Sequence, residues 1–159
     1  MSPQEHIIFR EATPEEDSLI AEHFFRMWLD NGVSEDAVAV DWHDITLDYI
    51  KEARRDKFYK AFVAEFSGLI VGSTGCQLFA GLYPNILQPQ YRKYGYIWGV
   101  YVEARYRRQG IAKQLISMAM DYLKAIACTR VILNTSPLGK PLYESLGFNN
   151  GNAMQLDLV

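Results

Sequence analysis

The spacing of apolar residues along this chain switches between a helical and a strand-like period, and each switch predicts a new element. A short strand is expected over residues 6–10. The segment 13–16, Thr-Pro-Glu-Glu, then has the cap, the first-turn proline and the third-position glutamate that begin helices. Apolar residues at helical spacing continue to Asn31 and Gly32, where the helix is expected to end: Leu19, Ile20, His23, Phe24, Met27 and Trp28.

The remaining segments alternate between the same two patterns, so we expect a mixed α/β fold. Ser67 and Gly68 lie between two strand-like runs and favour a hairpin, whereas the Gly- and Pro-containing segment 80–93 is expected to be a long loop. Gly99 inside a strand-like run indicates a bulge or a close approach to the backbone. The other expected helices cover residues 42–55, 109–127 and 136–146, and the other expected strands cover 58–66, 69–79, 94–102, 131–133 and the tail 153–159.

Composition narrows the class of protein without assigning a function. With 159 residues, 49% hydrophobic and 22% charged, the chain is expected to form one globular domain over 1–159. Its net charge of −3 argues against nonspecific nucleic-acid binding. Because no apolar run approaches the ~20 residues of a membrane span and no targeting signal is evident, a cytoplasmic protein is expected. Two cysteines, Cys76 and Cys128, and histidines without ligand spacing indicate neither a disulfide framework nor a metal site.

The residues that follow the strand 94–102 are the best candidates for ligand binding. Residues 107–112, RRQGIA, lead into a helix, and the N–H groups and partial positive charge at a helix N-terminus favour phosphate. Arg107, Arg108 and Lys113 add positive charge to an otherwise acidic chain, so a pyrophosphate fits this segment. The glycine patterns of P-loop hydrolases and of Rossmann dinucleotide-binding proteins are both absent.

The arrangement R-x-x-G-x-A, after a strand and at the start of a helix, resembles the signature of the GNAT superfamily of acyl-CoA-dependent N-acetyltransferases. In that signature a Gln or Arg is followed, three residues later, by Gly and then, two residues on, by Gly or Ala. The string YIWGVYVEARYRRQGIAKQLI is similar to the family's central strand, loop and helix, and SPLGKPLYESLGF, residues 136–148, is similar to its second conserved block. The six-residue signature alone has low specificity. Both blocks together, in the order in which the family has them, make a strong match. Residues 1–60 match only in pattern.

The resemblance implies a GNAT-like α/β fold, in which a central mixed β-sheet of about six to seven strands is flanked by about four helices. It implies acetyl-CoA as the acyl donor, without a metal, held by the backbone of a splayed central strand and by the amides at the helix start. Ser136 occupies a position at which the family often has asparagine. The serine side chain is shorter than that of asparagine. The cofactor-binding residues so implied are Val100, Tyr101, Val102, Arg107, Arg108, Gln109, Gly110, Ile111, Ala112, Lys113 and Ser136.

Tyr143 stands at the position of the family's general acid, near the departing sulfur; the alternative is a core tyrosine with its hydroxyl in water. No general base is assigned, since Glu65 and Glu103 near strand ends are better explained as solvated carboxylates. Trp98 and Tyr96 fit an acceptor pocket and core packing equally well.

The resemblance thus implies an N-acetyltransferase that transfers the acetyl group to a primary amine by direct attack, with a backbone N–H polarising the carbonyl and Tyr143 protonating the thiolate. The acceptor, a small-molecule or peptide amine, is not identified by the sequence, and a possible homodimer is also left open. The alternative from another class is a non-catalytic acyl-CoA-binding sensor or interaction module, which would retain residues 107–113 without needing Tyr143.

Overall fold

The computed structural model describes residues 6–159; residues 1–5, part of the domain expected over 1–159, lie outside them. The mixed α/β class expected from the sequence is confirmed. The helices are α1 (Asp17–Asp30), α2 (Trp42–Asp56), α3 (Ile111–Ala125) and α4 (Lys140–Ser145). The strands are β1 (Ile7–Glu11), β2 (Lys60–Phe66), β3 (Leu69–Leu78), β4 (Tyr94–Val102) and β5 (Arg130–Ile132).

The strands form one sheet in the order in which they occur along the chain, β1-β2-β3-β4-β5. Neighbours from β1 to β4 are antiparallel, whereas β5 runs parallel to β4. The hairpin expected between β2 and β3 is confirmed, with positive φ at both Ser67 and Gly68, as a type I′ turn requires. Because a parallel neighbour needs a crossover, α3 connects β4 to β5 across one face of the sheet.

Helices cover both faces of the sheet. On one face α1 and α2 pack through Ile20 and Ile50 against Val63 of β2. On the other face the apolar side of α3, including Leu115, packs against Phe62, the neighbour of Val63. Adjacent residues of a strand point to opposite faces, so β2 contributes to both halves of the core.

The C-terminal part of the chain differs from the sequence-based prediction. The helix expected over 136–146 begins only at Lys140. The strand expected over 153–159 is wrong, because within residues 6–159 this tail pairs with no strand and remains outside the sheet. The described part of the chain therefore has five strands rather than six to seven. None of the helices within residues 6–159 has the length and apolar character needed to cross a bilayer.

A buried histidine connects α1 to the sheet. His23 is fully buried, its Nδ1 lies 2.8 Å from Ser73 Oγ on β3, and its ring packs 4.9 Å from the ring of Tyr101. Burial lowers the pKa of His23 to about 4, and the nearby positive charge of Arg26 acts in the same direction. Within residues 6–159 its Nε2 has no hydrogen-bond partner, so a doubly protonated ring would bury an unsatisfied N–H.

We expect the free energy of unfolding to decrease as pH falls from about 6.5 to about 4. In this window the unfolded chain binds a proton at His23 and the folded protein does not, so acid favours unfolding. The loss is on the order of 3 kcal/mol at the lower end. Urea unfolding at several pH values measures it. A His23→Gln variant should lose most of this slope, and His43→Gln, a half-buried histidine beside Ser18, should retain it; equal slopes in both variants would contradict the assignment.

Candidate functional site

Strands β4 and β5 are paired over three residues and then separate. Residues 94–96 are in register with residues 130–132, while β4 continues to Val102 with β3 along its other side. Beyond residue 96, β4 therefore has no strand neighbour on the β5 side among the described residues. Residues 100–102, the strand part of the cofactor site expected from the sequence, lie in this section, which we call the β4–β5 opening.

A bulge distorts β4 within the opening. Gly99 and Val100 together oppose Thr74 of β3, so β4 contains one extra residue there. Gly99 has a φ of +69°, a value that glycine adopts without steric cost. Of the two alternatives expected at this glycine, a bulge or a close approach to the backbone, the structure shows the bulge. A Cβ at Gly99 would lie 3.7 Å from Phe24, so α1 covers the bulge from one face.

The N-terminus of α3 follows the end of β4 and faces open space. Gly110, the residue before the helix, has a φ of +81°, and apart from its chain neighbours no atom of residues 6–159 lies within 4 Å of the position that its Cβ would occupy. The N–H groups in the first turn of a helix have no carbonyl partner within that helix and favour anions. The structure therefore leaves the space beside Gly110, at the start of the helix that carries these donors, unoccupied by other parts of residues 6–159.

The side chains around this helix start differ in what they can contribute. Arg108 and Lys113 are exposed and form no ion pair among residues 6–159, so both can approach an anion. Ile111 is buried in the core under α3, which leaves only its backbone for binding. Gln109 and Ala112 are half-buried.

Arg107, the first residue of the R-x-x-G-x-A segment, is bound within the protein. Its Nη2 lies 2.5 Å from Asp30 Oδ2, its Nε donates to Val102 O at 2.7 Å, and its guanidinium lies 5.5 Å from the Tyr101 ring centre. The side chain thus joins the end of α1 to the end of β4. The sequence did not identify Asp30 as the partner of Arg107, because an acidic residue at a helix end is usually solvated.

Ser136 and Tyr143 lie on the segment that follows β5. Ser136 Oγ accepts a hydrogen bond from Gly139 N–H at 3.3 Å, in the turn that precedes α4. Tyr143 is half-buried, with its ring 5.8 Å from that of Phe148, and its hydroxyl has no hydrogen-bond partner in the part of the chain that is described. Burial raises the pKa of Tyr143, so its hydroxyl remains protonated at neutral pH.

The two carboxylates considered as bases are each held by an arginine. Glu65 Oε1 lies 3.2 Å from Arg10 Nη2, and Glu103 Oε1 lies 3.7 Å from Arg26 Nη1. Both carboxylates are therefore engaged in ion pairs, and neither is assigned as a base. Residues 6–159 contain no group of His, Cys, Asp and Glu side chains that could hold a metal ion.

An aromatic cluster adjoins the bulge on the face covered by α1 and α2. The ring of Trp98 lies 5.1 Å from that of Phe24 and 5.3 Å from that of Tyr49. Its indole N–H donates to Gln77 Oε1 at 2.9 Å, and Gln77 Nε2 donates to the Tyr49 hydroxyl at 3.2 Å. Trp28 and Tyr49 are nearly half exposed. Four different elements contribute these residues, which is why no sequence motif indicated the cluster.

The sequence profile of the acetyltransferase (GNAT) family matches residues 15–148, well over half of the chain. The chain belongs to the GNAT acetyltransferase family. The matched range includes β2 to β5, the β4–β5 opening, the start of α3 and Tyr143.

Two curated GNAT relatives show how far the similarity extends. Glucosamine 6-phosphate N-acetyltransferase from Trypanosoma brucei brucei is 34% identical over 104 residues, which are 62% of this chain and 65% of that protein. N-acetyltransferase 8 from Rattus norvegicus is 31% identical over 122 residues, 75% of this chain and 50% of that protein. The chain thus spans between half and two thirds of the length of these relatives.

Solved structures confirm the GNAT-like fold. A predicted acetyltransferase from Clostridium acetobutylicum, crystallised with acetyl-CoA, superposes with a TM-score of 0.82 at 22% identity, covering 96% of both chains. A GCN5-related N-acetyltransferase from Ralstonia eutropha JMP134 gives a TM-score of 0.80 at 21% identity, covering 96% of this chain and 98% of that one. At such identities the likeness establishes the fold alone.

We expect the Arg107–Asp30 bridge of this GNAT family member to contribute little to stability. The two side chains are 43% and 46% exposed, so water screens the pair and a double-mutant cycle should give a coupling of about 0.2 to 1 kcal/mol. Urea unfolding of Arg107→Ala, Asp30→Ala and the double variant measures it. A cycle with Arg108→Ala instead of Arg107→Ala is the control and should give no coupling. A coupling far above this range would contradict the expectation.

Proposed function

We propose that this chain is an N-acetyltransferase that moves the acetyl group of acetyl-CoA to a primary amine by direct attack. The observation that carries the proposal is the β4–β5 opening, whose unpaired strand leads directly to the open N-terminus of α3. An unpaired strand can hydrogen-bond the amides of a pantetheine arm, and a helix N-terminus can bind its pyrophosphate. Acetyl-CoA has both groups in one extended molecule.

The cofactor-binding roles divide between the two ends of the opening. At the phosphate end we assign the amides of residues 108–113, with Arg108 and Lys113 as the available cations. At the strand end we assign the backbone of residues 100–102, where Arg107 already binds one carbonyl and fixes the end of the strand. The Ser136 hydroxyl accepts a bond within its own turn and keeps its proton available for the cofactor.

The proposed reaction is acyl transfer through a tetrahedral intermediate. The neutral amine attacks the acetyl carbonyl, a backbone N–H in the unpaired section of β4 stabilises the oxyanion, and the C–S bond then breaks. Tyr143 donates its hydroxyl proton to the departing thiolate. The amine nitrogen loses one proton to water as it becomes an amide nitrogen, and the Tyr143 phenolate regains its proton from water. Burial raises the pKa of Tyr143, so the hydroxyl has a proton to donate when the sulfur leaves, although the same shift weakens it as an acid.

We propose that the acceptor amine enters from the face of α1 and α2, beside the bulge at Gly99. The partly exposed aromatic cluster around Trp98 supports this position, because it borders the strand on which the acetyl group would lie. The curated relatives include a glucosamine 6-phosphate N-acetyltransferase, and for this chain the acceptor class stays a small-molecule or peptide amine. Residues 1–159 are proposed to form one acetyltransferase domain.

Thiol release from acetyl-CoA against a panel of amines tests the proposal. Amine-dependent release of CoA, with acetylated product in equal amount by mass spectrometry, is the expected result. Acetyl-CoA binding by calorimetry, without release for any amine, would instead favour the non-catalytic sensor. If the protein neither binds acetyl-CoA nor releases CoA, both the acetyltransferase hypothesis and the sensor hypothesis are contradicted.

Gly110→Val should weaken acetyl-CoA binding about tenfold or more, because a branched side chain would occupy the open space before the phosphate-binding amides. The control is Gly68→Val in the β2–β3 hairpin, where φ is also +81° and the surrounding space is also open. Both substitutions impose the same left-handed strain, at least about 1 kcal/mol. Calorimetry should show weakened binding only for Gly110→Val; equal affinities in the two folded variants would place the phosphate elsewhere.

Tyr143→Phe should lower kcat by about 10²- to 10⁴-fold and leave acetyl-CoA affinity within about twofold, since only the proton donor is removed. The control is Tyr122→Phe in the last turn of α3, whose hydroxyl donates to Phe58 O at 2.7 Å in a structural role. Steady-state kinetics with a confirmed acceptor measures kcat, and calorimetry measures the affinity for acetyl-CoA. Similar kcat values for both variants would make Tyr143 a packing residue.

A further inference from the structure

A row of aromatic side chains follows β4 away from the bulge. The row consists of Trp98, Tyr96 and Tyr94, and side chains two residues apart in a strand lie on the same face of the sheet. The residues between them point to α3: Ile97 belongs to the core cluster under α3, and a Cβ at Gly95 would collide with a side chain of that helix. The aromatic row therefore lies on the other face, which it shares with α1 and α2.

Helices α1 and α2 contact the aromatic row at Trp98, through Phe24 and Tyr49. Tyr96 and Tyr94 are half-buried, and in the described part of the chain their rings contact no ring or cation of either helix. The row therefore continues from the proposed acceptor entrance to the start of β4 as a partly exposed apolar surface.

A pocket opens where the aromatic row ends. Tyr94 and Phe79 line it together with Arg92, whose guanidinium lies 4.4 Å from the centre of the Tyr94 ring and 5.1 Å from that of Tyr83. Arg130 of β5 is in register with Tyr94, and its guanidinium lies 5.1 Å from the centre of the same ring. Two guanidinium groups thus lie against one ring at the far end of the row.

The positive charge at this end has no acidic counterpart nearby in the sequence. Residues 66–102 and 122–143, which contain Arg92 and Arg130, include no Asp or Glu, although the chain has a net charge of −3. Neither arginine forms an ion pair with a carboxylate in the described residues. A guanidinium binds carboxylate and phosphate groups through strong, charge-assisted hydrogen bonds. An anionic group of a ligand would therefore complement this end of the row.

We propose that the acceptor is an extended primary amine with an apolar middle and an anionic far end, and that Arg92 and Arg130 bind this end. The inference rests on the proposed function, which places the amine beside the bulge at Gly99, next to Trp98. The acceptor would then follow the aromatic row to Tyr94, a span of about 13 Å for four residues of a strand. A polyamine has the required length, but it would bring a second cation to the two guanidinium groups, and like charges repel.

Matched acceptors that differ only at the far end test the inference. The amidated peptide Ala-Leu-Ala-Leu-Asp has its side-chain carboxylate about 13 Å from its amine when extended, and its control has Asn in place of Asp. The non-peptide pair is ω-aminododecanoate and dodecylamine. With saturating acetyl-CoA, KM should be at least about tenfold lower for the carboxylate acceptor, in the peptide pair if the acceptor is a peptide and in the other pair if it is not. CoA release with equal KM within both pairs would overturn the inference and leave the proposed function standing.

Arg92→Gln should raise KM for the carboxylate acceptor about tenfold, with kcat and the KM of the neutral acceptor within about twofold, because the lost contact is the same in the ground and transition states. Arg92→Lys retains the charge and should restore part of the affinity. Arg130→Gln should act in the same direction, and it leaves the stacking of Arg92 on Tyr83 intact.

The matched control for these variants is Arg105→Gln. Its guanidinium also lies against a tyrosine ring, 5.3 Å from the centre of Tyr106, but beyond the other end of β4. This variant should leave the KM of both acceptors unchanged. If Arg92→Gln and Arg130→Gln change KM equally for the carboxylate and the neutral acceptor, the inference is overturned.

Calorimetry distinguishes failure of the inference from failure of the proposed function. The N-acetylated forms of the four acceptors cannot react, and they are titrated into the protein saturated with CoA. In at least one pair the carboxylate form should bind about tenfold or more tightly, and Arg92→Gln should remove this difference. Such selectivity without CoA release for any amine would contradict the proposed function and support the anion-binding site. Equal or undetectable binding within both pairs would overturn the inference.

Discussion

The short pairing between β4 and β5 is the feature on which the rest of the site depends. Strand backbone has a donor and an acceptor at each residue, and each must find a partner in a neighbouring strand, water or a ligand. Pairing ends after residue 96 while β4 continues to Val102, so one edge of a central strand stays available to a ligand. In the proposed function, the bulge at Gly99 and the helix start at Gly110 can contribute to binding only because this edge is open.

Arg107 connects the end of β4 to the helix that covers the bulge. Its guanidinium binds Val102 O and Asp30, so the last residue of β4 is connected to the last residue of α1. A mobile cation at this position would gain from a bound phosphate, whereas a fixed one orients the strand whose backbone is proposed to bind the cofactor. In the proposed function the local excess of positive charge therefore has two roles: Arg108 and Lys113 bind the ligand, and Arg107 holds the end of β4.

Features with a local cause could be predicted from the sequence. The Ser67-Gly68 turn, the bulge at Gly99 and the helix end at Asn31 depend on the φ preferences and capping of a few adjacent residues. The Arg107–Asp30 contact joins residues 77 positions apart, so no local sequence pattern predicts it. The strand predicted for the tail is absent for a related reason. Alternation determines which side of a segment is apolar, but strand formation also depends on pairing with a residue segment that is distant in the sequence.

In the proposed reaction, burial affects the pKa of both groups in the final proton transfer, the Tyr143 hydroxyl and the departing thiolate. Burial raises the pKa of Tyr143, which alone would make it a poor acid toward an ordinary thiolate with a pKa of about 8.5. A thiolate released away from water is subject to the same penalty, and in this protein burial raises the pKa of the Cys76 thiol to about 12. Both shifts arise from the cost of removing an anion from water, so they offset each other. Proton donation by Tyr143 is therefore effective only while the cofactor excludes water from the departing sulfur.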